Sequence, residues 1–397
     1  MPSVQNVIDL VQQFQSRGIV VHQDRCVAVR NRNAGCSRCA DACSAGCIAQ
    51  FEDRLVLDPA QCVGCGVCAT ACPTGALEAR DPDDAALFQS CLQAMDACEG
   101  EVVIACSKIL NVASGKLDLD KVVGAACVGR VDESLLIALA AEGAGHIILV
   151  KGPCEECANE GGLDLAREVR DSANTVLEVW GSETRVALRS KFPNAVRRVE
   201  KGYDEGKRHF FGSAKTSAKK AVGVTADYAV KETQEALGAD PDAESRPPRF
   251  SADGTLPLIS SDRRERLAES LAKLGEPQDV MVKTRLWSHV VIDEEKCSSC
   301  QACATFCPTG ALSRCQDEDG GLSLRFSPSK CVQCRCCEDI CLKDAIRLSD
   351  EVFAVDIAHG AVERHKMKQS RHLRGGTNRS KESKQELLDS LIYGKKK

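Results

Sequence analysis

The sequence has few aromatic residues and no segment that is long and apolar enough to cross a membrane. Phe, Trp and Tyr make up 4% of its 397 residues, so any core must be built largely from Val, Ile, Leu and Ala. The longest apolar runs, around 135–141 and 146–150, are far shorter than the roughly 20 residues of a membrane-spanning helix. The first ten residues have neither the basic nor the apolar region of a secretory signal. We therefore expect a cytoplasmic protein.

The chain also lacks the residue patterns of a catalytic site. It has no Gly-rich nucleotide fingerprint, and no His or carboxylate set accompanies a nucleophile. The net charge of −5 does not bear on nucleic-acid binding, but no helix-turn-helix or base-stacking aromatic motif accompanies the basic stretches. The sequence therefore favours a chain that does not catalyse a reaction alone, and we expect no nucleic-acid partner.

Cysteine is the residue that the chain has in excess. The 25 cysteines are an odd number, and most of them fall in closely spaced runs. Small secreted proteins pair their cysteines in disulfides, whereas such runs in a chain of this length are typical of metal sites in a reducing compartment. Two others, Cys91 and Cys98, lie seven residues apart on a predicted helix, and we interpret them as buried small residues.

The clearest cysteine pattern lies between residues 297 and 341. Two C-x2-C-x2-C-x3-C runs follow each other there, and Pro308 follows the last cysteine of the first run. Zinc sites use spaced pairs of cysteines rather than runs of four, so zinc ribbons and plain buried cysteines are the weaker alternatives. In bacterial two-cluster ferredoxins, three cysteines of such a run bind one [4Fe–4S] cluster and the fourth binds the other.

The region 286–350 therefore resembles a bacterial two-cluster ferredoxin. The resemblance implies two sets of cluster ligands, with Cys336 left over inside the second run. The sets are Cys297, Cys300, Cys303 and Cys341 for one [4Fe–4S] cluster, and Cys307, Cys331, Cys334 and Cys337 for the other.

Residues 1–85 form a second ferredoxin-like region with one plain run and one altered run. The plain run, 62–72, is followed by Pro-Thr-Gly-Ala-Leu, as is the run that begins at residue 297. In the altered run, Cys43-Ser-Ala-Gly-Cys-Ile aligns with Cys72-Pro-Thr-Gly-Ala-Leu. Cys43 is therefore predicted to be the fourth ligand, and Cys47 stands at an alanine position. The first ligand must then lie upstream, where Cys26 follows a predicted strand, as Cys297 does.

The altered run is thus predicted to be C-x9-C-x2-C-x3-C, with a seven-residue insertion that carries Arg30 and Arg32. An alternative is that Cys47 replaces either Cys26 or Cys43 as a ligand. The predicted sets are Cys26, Cys36, Cys39 and Cys72 for one [4Fe–4S] cluster, and Cys43, Cys62, Cys65 and Cys68 for the other.

Residues 86–180 follow a different pattern, in which apolar runs end in cysteines. The runs 101–106, 120–127 and 146–154 alternate with predicted helices at 134–142 and 164–172. This alternation indicates a small doubly wound α/β domain with a parallel sheet, whose ligands bind beyond the carboxyl ends of the strands. The cysteines at those ends are Cys106, Cys127, Cys154 and Cys157.

The segment from Cys127-Val-Gly-Arg-Val-Asp to Gly-Pro-Cys154-Glu-Glu-Cys157 resembles the delta-subunit domain of methyl-viologen-reducing hydrogenase. In that family the domain passes electrons from a hydrogenase or formate dehydrogenase to heterodisulfide-reductase-type flavoproteins. The resemblance implies one [2Fe–2S] cluster on Cys106, Cys127, Cys154 and Cys157. The chain departs from the family in its single cysteine at the first strand and in the absence of a His from the last motif. Zinc, a redox-active thiol pair and an empty site therefore stay open.

The remaining regions contain no cysteine runs. Residues 181–285 are predicted to be a helical, partly basic connecting region, with helices at 185–199 and 210–237 and an exposed helix at 262–274. Its basic residues indicate either a solvated helical face or a docking surface for an acidic partner or for membrane headgroups. Residues 351–397 are expected to form a flexible basic tail.

Together these patterns predict two α+β ferredoxin-like modules, a small α/β domain and a helical linker. We expect an iron–sulfur subunit with four [4Fe–4S] clusters that relays electrons between the components of a larger oxidoreductase complex. The resemblance implies flavin-, molybdenum- or nickel-dependent oxidoreductase subunits and a heterodisulfide-reductase-like protein as partners. The alternative functions are a thiol or disulfide reductase that uses the middle-domain cysteines, and an assembly or regulatory protein that senses clusters.

Overall fold

The computed structural model describes residues 18–51, 54–198, 256–316 and 321–367. Within these ranges the structure is a mixed α/β fold with small sheets, in agreement with the coarse prediction from the sequence. No helix in the described part of the chain combines the length and the apolar character needed to span a bilayer. The predicted helix at 210–237 and most of the predicted basic tail lie outside the described residues.

Residues 18–80 form two antiparallel strand pairs around three short helices. The first and last strands pair with each other, which brings the two ends of the segment together, and the two inner strands form a hairpin. The strands are β1 (Ile19–Val21), β2 (Ile48–Gln50), β3 (Leu55–Leu57) and β4 (Leu77–Ala79). The helices are α1 (Val27–Arg30), α2 (Arg38–Asp41) and α3 (Val67–Ala71).

Residues 84–189 form a four-stranded parallel sheet with helices between the strands. The strand order is β6-β5-β7-β8. Two of the helices begin where an Asp side chain accepts a hydrogen bond from a backbone N–H of the first turn, Asp83 from Ala86 and Asp132 from Leu135. The strands are β5 (Glu101–Cys106), β6 (Val123–Ala125), β7 (His146–Val150) and β8 (Arg185–Arg189). The helices are α4 (Asp84–Ala97), α5 (Ser107–Ala113), α6 (Glu133–Ala141) and α7 (Gly161–Val179).

The helix predicted at 185–199 is wrong, because residues 185–189 are strand β8 at the edge of this sheet. β8 pairs in parallel with β7, and the side chain of Asn174 on α7 donates to the carbonyl of Val186 and accepts from its N–H, both at 2.9 Å. Pro193 further disfavours a helix across this stretch. Tertiary pairing therefore overrides the local helix propensity here.

Helix α8 (Asp262–Leu274) joins the parallel sheet to the C-terminal module. It was expected to be exposed, but its Leu267 and Leu271 are buried in the same core as α6, α7 and the strands β5 and β7. Trp287, which is 2% exposed, extends this core toward the C-terminal residues. The prediction of an exposed helix is wrong because one face of α8 packs in this core and its Arg263 and Arg264 bind partners in the parts of the fold on either side.

Residues 281–366 repeat the strand arrangement of residues 18–80 and add strands to it. β10 and β13 pair as β1 and β4 do, and β11 and β12 form a hairpin as β2 and β3 do. β15 extends the hairpin sheet, and β9 pairs with β14. The strands are β9 (Met281–Lys283), β10 (His289–Ile292), β11 (Leu312–Gln316), β12 (Leu322–Phe326), β13 (Ile346–Ser349), β14 (Glu351–Phe353) and β15 (Glu363–Lys366). The helices are α9 (Ala302–Thr305), α10 (Cys336–Asp339) and α11 (Ala354–Ala358).

Candidate iron–sulfur sites

Three of the four cysteine loops have the same unusual backbone conformation. In each, the residues on both sides of the second cysteine have φ between 53° and 76°, in the left-handed region. This conformation turns the chain sharply, so that the three cysteines of the loop face a common centre. The residues are Gly64 and Gly66, Ser299 and Gln301, and Gln333 and Arg335. The altered loop with the insertion does not share it, because Ser37 has φ −120°.

Cys26, Cys36, Cys39 and Cys72, called set A below, interact with one another. Burial raises the pKa of Cys26 to about 11, and the thiols of Cys72 and Cys36 add to this rise. Burial likewise raises the pKa of Cys39, which the thiols of Cys72, Cys26 and Cys36 raise further. The structure thus brings Cys26 to the other three members although it lies ten residues before Cys36.

Cys43, Cys62, Cys65 and Cys68, called set B below, line one cavity together with Cys47. Burial raises the pKa of Cys68 to about 12, with further contributions from the thiols of Cys65, Cys43 and Cys62. The sulfur of Cys47 lies 3.3 Å from that of Cys43. Cys47 therefore lies with set B, so its position makes it an alternative to Cys43 rather than to Cys26.

Cys307, Cys331, Cys334 and Cys337, called set C below, line a second cavity, which Cys336 also lines. Burial raises the pKa of Cys337 well above its usual range, and the thiols of Cys334, Cys307 and Cys331 raise it further. Cys336 is 1% exposed, and its place beside this cavity was not predicted from the sequence.

Cys297, Cys300, Cys303 and Cys341, called set D below, also lie in the C-terminal module. Burial raises the pKa of Cys303 to about 12, and the thiols of Cys300 and Cys297 contribute. Cys341 packs in the same core as Cys303. Cys300 is exposed to solvent.

Backbone N–H groups donate hydrogen bonds to the fourth cysteine of three runs. The N–H of Ala76 lies 3.2 Å from the sulfur of Cys72, and the N–H of Ala345 lies 3.3 Å from that of Cys341. The N–H of Leu312 lies 3.4 Å from the sulfur of Cys307. Hydrogen bonds to the sulfurs are among the factors that set the reduction potential of a cluster.

The cavities of sets B and C suit a polynuclear cluster, because their thiols surround a space rather than a point. A single zinc ion holds its sulfur ligands at about 2.3 Å. Because burial raises the pKa of these thiols, bound iron would have to supply the positive charge that favours the thiolates.

Cys106, Cys127, Cys154 and Cys157, called the middle set below, meet at the carboxyl end of the parallel sheet. Burial raises the pKa of Cys127 to about 12, and the thiols of Cys65, Cys106 and Cys154 contribute. The ammonium of Lys108 donates to the sulfur of Cys157 at 3.2 Å. The glycine at position 162 allows the first turn of α7 to approach Cys127 closely, because a Cβ there would lie 2.7 Å from the Cys127 sulfur. The contribution of Cys65 also means that set B adjoins the middle set.

A basic cleft opens beside the middle set at the ends of β7 and β8. It is a shallow cavity of about 490 Å³. Burial raises the pKa of Cys154, and Lys151 and Arg167 from the cleft partly oppose that rise, so the cleft lies close to the cysteines. Its basic residues are Lys151, Arg167, Arg170, Arg189 and Lys191.

Buried arginines of α8 hold the three parts of the fold together. The Arg263 guanidinium contacts Asp84 at 2.6 Å and Asp132 at 3.0 Å, and donates to the carbonyl of Ala69 beside set B at 2.7 Å. Arg264 donates to the carbonyl of Cys331 at 3.1 Å. No local pattern predicts these partners, because arginine is usually exposed on a helix.

Comparison with known proteins identifies two of these regions. Residues 55–78 and 290–313 match the family model described as the 4Fe-4S binding domain. The chain is 31% identical over 71 residues to the pyruvate synthase subunit PorD of Thermotoga maritima, which covers 17% of this chain and 68% of that protein. It is 35% identical over 66 residues to the subunit of the same name from Methanocaldococcus jannaschii, which covers 16% of this chain and 72% of that protein.

The matched segments contain the plain cysteine runs of both ferredoxin-like regions, and they indicate [4Fe–4S] clusters. The comparisons thus support an iron–sulfur electron-transfer protein. The chain belongs to the family of 4Fe–4S binding domain proteins that includes these PorD subunits.

Proposed function

We propose that this chain is a four-cluster electron-transfer subunit, in which sets A, B, C and D each hold one [4Fe–4S] cluster. The observation that carries the proposal is the repeated strand arrangement around paired cysteine sets in residues 18–80 and 281–366. Each set takes its last ligand from the other run of its module, which is the ferredoxin pattern. The odd count of unpaired cysteines supports a reducing, cytoplasmic setting.

In this proposal the clusters supply the one-electron chemistry, and the chain's own residues bind and tune them. The thiolates of each set hold the iron, and burial excludes water from the sulfur atoms. The backbone N–H groups of Ala76, Leu312 and Ala345 donate to cysteine sulfurs. Such donors stabilise the added negative charge of a reduced site and thereby favour electron uptake.

A reductive titration of anaerobically purified full-length protein tests this function. Each [4Fe–4S] site takes up one electron, so about four electrons per chain are expected, or about five if the middle set holds a [2Fe–2S] cluster, with a parallel bleaching of the visible absorbance. Uptake of about two electrons would overturn the four-site proposal.

The middle set is proposed to hold a [2Fe–2S] cluster in a hydrogenase-delta-like domain. Its support is the meeting of the four thiols at the carboxyl end of a parallel sheet, where such sheets bind their ligands. The Lys108 ammonium at 3.2 Å from the Cys157 sulfur favours the alternative, a thiol reductase, since reactive thiols lie beside cations.

Replacement of Cys127 by serine separates these two functions. If the middle set holds a [2Fe–2S] cluster, the variant is expected to lose a distinct EPR signal and about two iron atoms per chain while the [4Fe–4S] signals stay. If it is a redox-active thiol pair, the wild-type protein instead shows thiols that are alkylated only after reduction. An unchanged iron content with no such thiols would contradict both.

We further propose that the chain works in an oxidoreductase complex with an acidic partner. PorD is by its name a subunit of pyruvate synthase, and the hydrogenase resemblance favours a hydrogenase, a formate dehydrogenase or a heterodisulfide-reductase-like flavoprotein. The basic cleft beside the middle set supports a partner with an acidic face, because opposite charges steer association.

A charge reversal in the cleft tests this contact. The variant Lys191→Glu is expected to slow electron transfer to the anionic acceptor anthraquinone-2,6-disulfonate severalfold at low salt, and the difference is expected to shrink as ionic strength rises. Lys273→Glu is the matched control, because Lys273 lies on α8 and pairs with Glu142. Equal rates in both variants would argue against the cleft as the contact.

A further inference from the structure

The cysteine sets are arranged in a different order in space than in the sequence. Set B adjoins the middle set, since a Cβ on Gly162 would lie 2.7 Å from the sulfur of Cys127 and 3.0 Å from the side chain of Val67, next to Cys68. Set A faces the C-terminal module, since the N–H of Gly35 donates to Asp339 at 2.8 Å and Cys36 and Cys334 pack against one apolar core. The spatial order is thus middle set, B, A, C and D, although the middle set lies between the two modules in the sequence.

From this arrangement we propose that the loop at residues 27–35, which carries the seven-residue insertion, is the joint between sets A and C, and that Arg30 is the positioning charge shared by both. The inference rests on the proposed electron-transfer function. It assigns a purpose to the one loop that departs from the ferredoxin pattern, and it makes the two ferredoxin-like modules direct neighbours in the electron path.

Hydrogen bonds fix the two sides of the joint to each other. The N–H of Gly35, next to Cys36 of set A, donates to the carboxylate of Asp339 at 2.8 Å. The Arg38 guanidinium donates to the carbonyl of Gln333 at 2.8 Å, next to Cys334 of set C. Both contacts join residues about 300 positions apart in the sequence, and each lies beside a predicted ligand.

A small apolar core fills the joint. It combines residues 27 and 34 of the N-terminal loop with residues of the C-terminal module, and both Cys36 and Cys334 pack against it. A dry contact of this kind keeps the distance between the two sets fixed. The core residues are Val27, Ala34, Leu256, Phe306, Cys336 and Ile340.

Arg30 places a positive charge inside this joint. It is 2% exposed, and its guanidinium donates to the carbonyl of Asp24 at 3.0 Å and to that of Pro257 at 2.7 Å. Both of these partners are neutral carbonyls, and the Arg30 Nε has no hydrogen-bond partner among the residues that the structure describes. The backbone N–H of Arg30 donates to the carbonyl of Cys26 of set A at 2.9 Å. Burial lowers the pKa of Arg30, whereas the Cys336 thiol, the Asp24 carboxylate and the thiols of Cys307 and Cys334 oppose that fall.

A buried cation between two sites favours the more negative state of each. Reduction adds one negative charge to a [4Fe–4S] site, and in a poorly solvated interior this charge interacts strongly with a nearby guanidinium. Arg30 therefore eases electron uptake at both faces of the joint, whereas no cysteine of sets B or D is among the thiols that act on Arg30 most strongly.

EPR-monitored redox titration of the variant Arg30→Gln tests the proposal. Two of the four [4Fe–4S] midpoint potentials are expected to fall, those of the sites on sets A and C, and the other two are expected to stay. Arg30→Lys is expected to restore most of the fall, because it keeps the charge. Arg32→Gln is the matched control, since Arg32 belongs to the same insertion but is exposed.

A second variant tests the contact, and Asp339→Asn, which removes the same negative charge but keeps an acceptor oxygen, is its control. Asp339→Ala removes the acceptor of the Gly35 N–H, and is expected to weaken the magnetic broadening between the reduced sites on sets A and C. Unchanged potentials in Arg30→Gln and unchanged broadening in Asp339→Ala, with full iron content, would overturn the joint alone. Loss of the proposed function would appear instead as a wild-type chain with about eight iron atoms.

Discussion

Replacement of Cys26 by serine is expected to remove one whole [4Fe–4S] cluster, about four iron atoms per chain, while the other clusters stay. Cys26 is separated from Cys36 by nine residues, against two in an ordinary ferredoxin loop, so a local motif search would miss it. Its thiol nevertheless interacts with those of Cys36 and Cys72, which makes it the fourth member of set A.

Two control variants make this test specific. Cys91→Ser is expected to keep the full iron content. Burial alone raises the pKa of Cys91 to about 12, with no contribution from another thiol, so Cys91 does not belong to a cysteine set. Cys47→Ser is also expected to keep it, since Cys43 lies 3.3 Å away and already serves set B. A chain that keeps all its iron as Cys26→Ser but loses four iron atoms as Cys47→Ser would contradict the assignment. Iron per chain, by elemental analysis, is the measurement.

Replacement of Asp84 by asparagine is expected to cost about 3–5 kcal/mol of stability, the range found when one partner of a buried ion pair is removed. Asp84 contacts both Arg263 and Arg130, and Arg263 is 15% exposed at its side chain. The asparagine removes the carboxylate that pairs with Arg130, and it leaves Arg263 with Asp132 as its remaining carboxylate partner. The apparent midpoint of anaerobic chemical denaturation measures the loss.

The pH dependence follows from the sign of the Asp84 shift. Burial opposes the charge of Asp84, but Arg263 and Arg130 hold its pKa well below the usual range. A lowered folded-state pKa contributes stability that is fully present above the unfolded pKa, about 3.9, and is lost as the pH falls below it. The gap between wild type and variant should therefore be constant from pH 8 to pH 5.

The matched control for this variant is Asp164→Asn. Asp164 also pairs with an arginine, Arg167, but its side chain is 75% exposed, so the expected cost is about 0–1 kcal/mol. Equal destabilisation by the two substitutions would show that the α8 contacts do not hold the fold together.

The parts that could be predicted from the sequence are those that local chemistry determines. The cysteine runs, the strands that lead into Cys26 and Cys297, and the apolar strands 101–106 and 146–150 all depend on residue spacing or on short apolar patterns. The structure has a strand before Cys26, before Cys297 and at each of the two apolar segments.

The parts that could not be predicted depend on partners far away in the chain. Strand β8 forms because β7 is there to pair with it, and the arginines of α8 are buried because Asp84 and Asp132 meet them. The joint needs the N–H of Gly35 to find Asp339 at a separation of 304 residues. Contacts between residues so far apart cannot be predicted from a local sequence pattern.

The most direct test of the account is the iron and acid-labile sulfide content of the anaerobically purified full-length chain, with EPR of the dithionite-reduced sample. Four [4Fe–4S] clusters require about sixteen iron atoms and sixteen sulfides per chain, and a [2Fe–2S] cluster on the middle set raises each number to about eighteen. A value of about eight would contradict the four-cluster account, because only one pair of cysteine sets would then hold clusters.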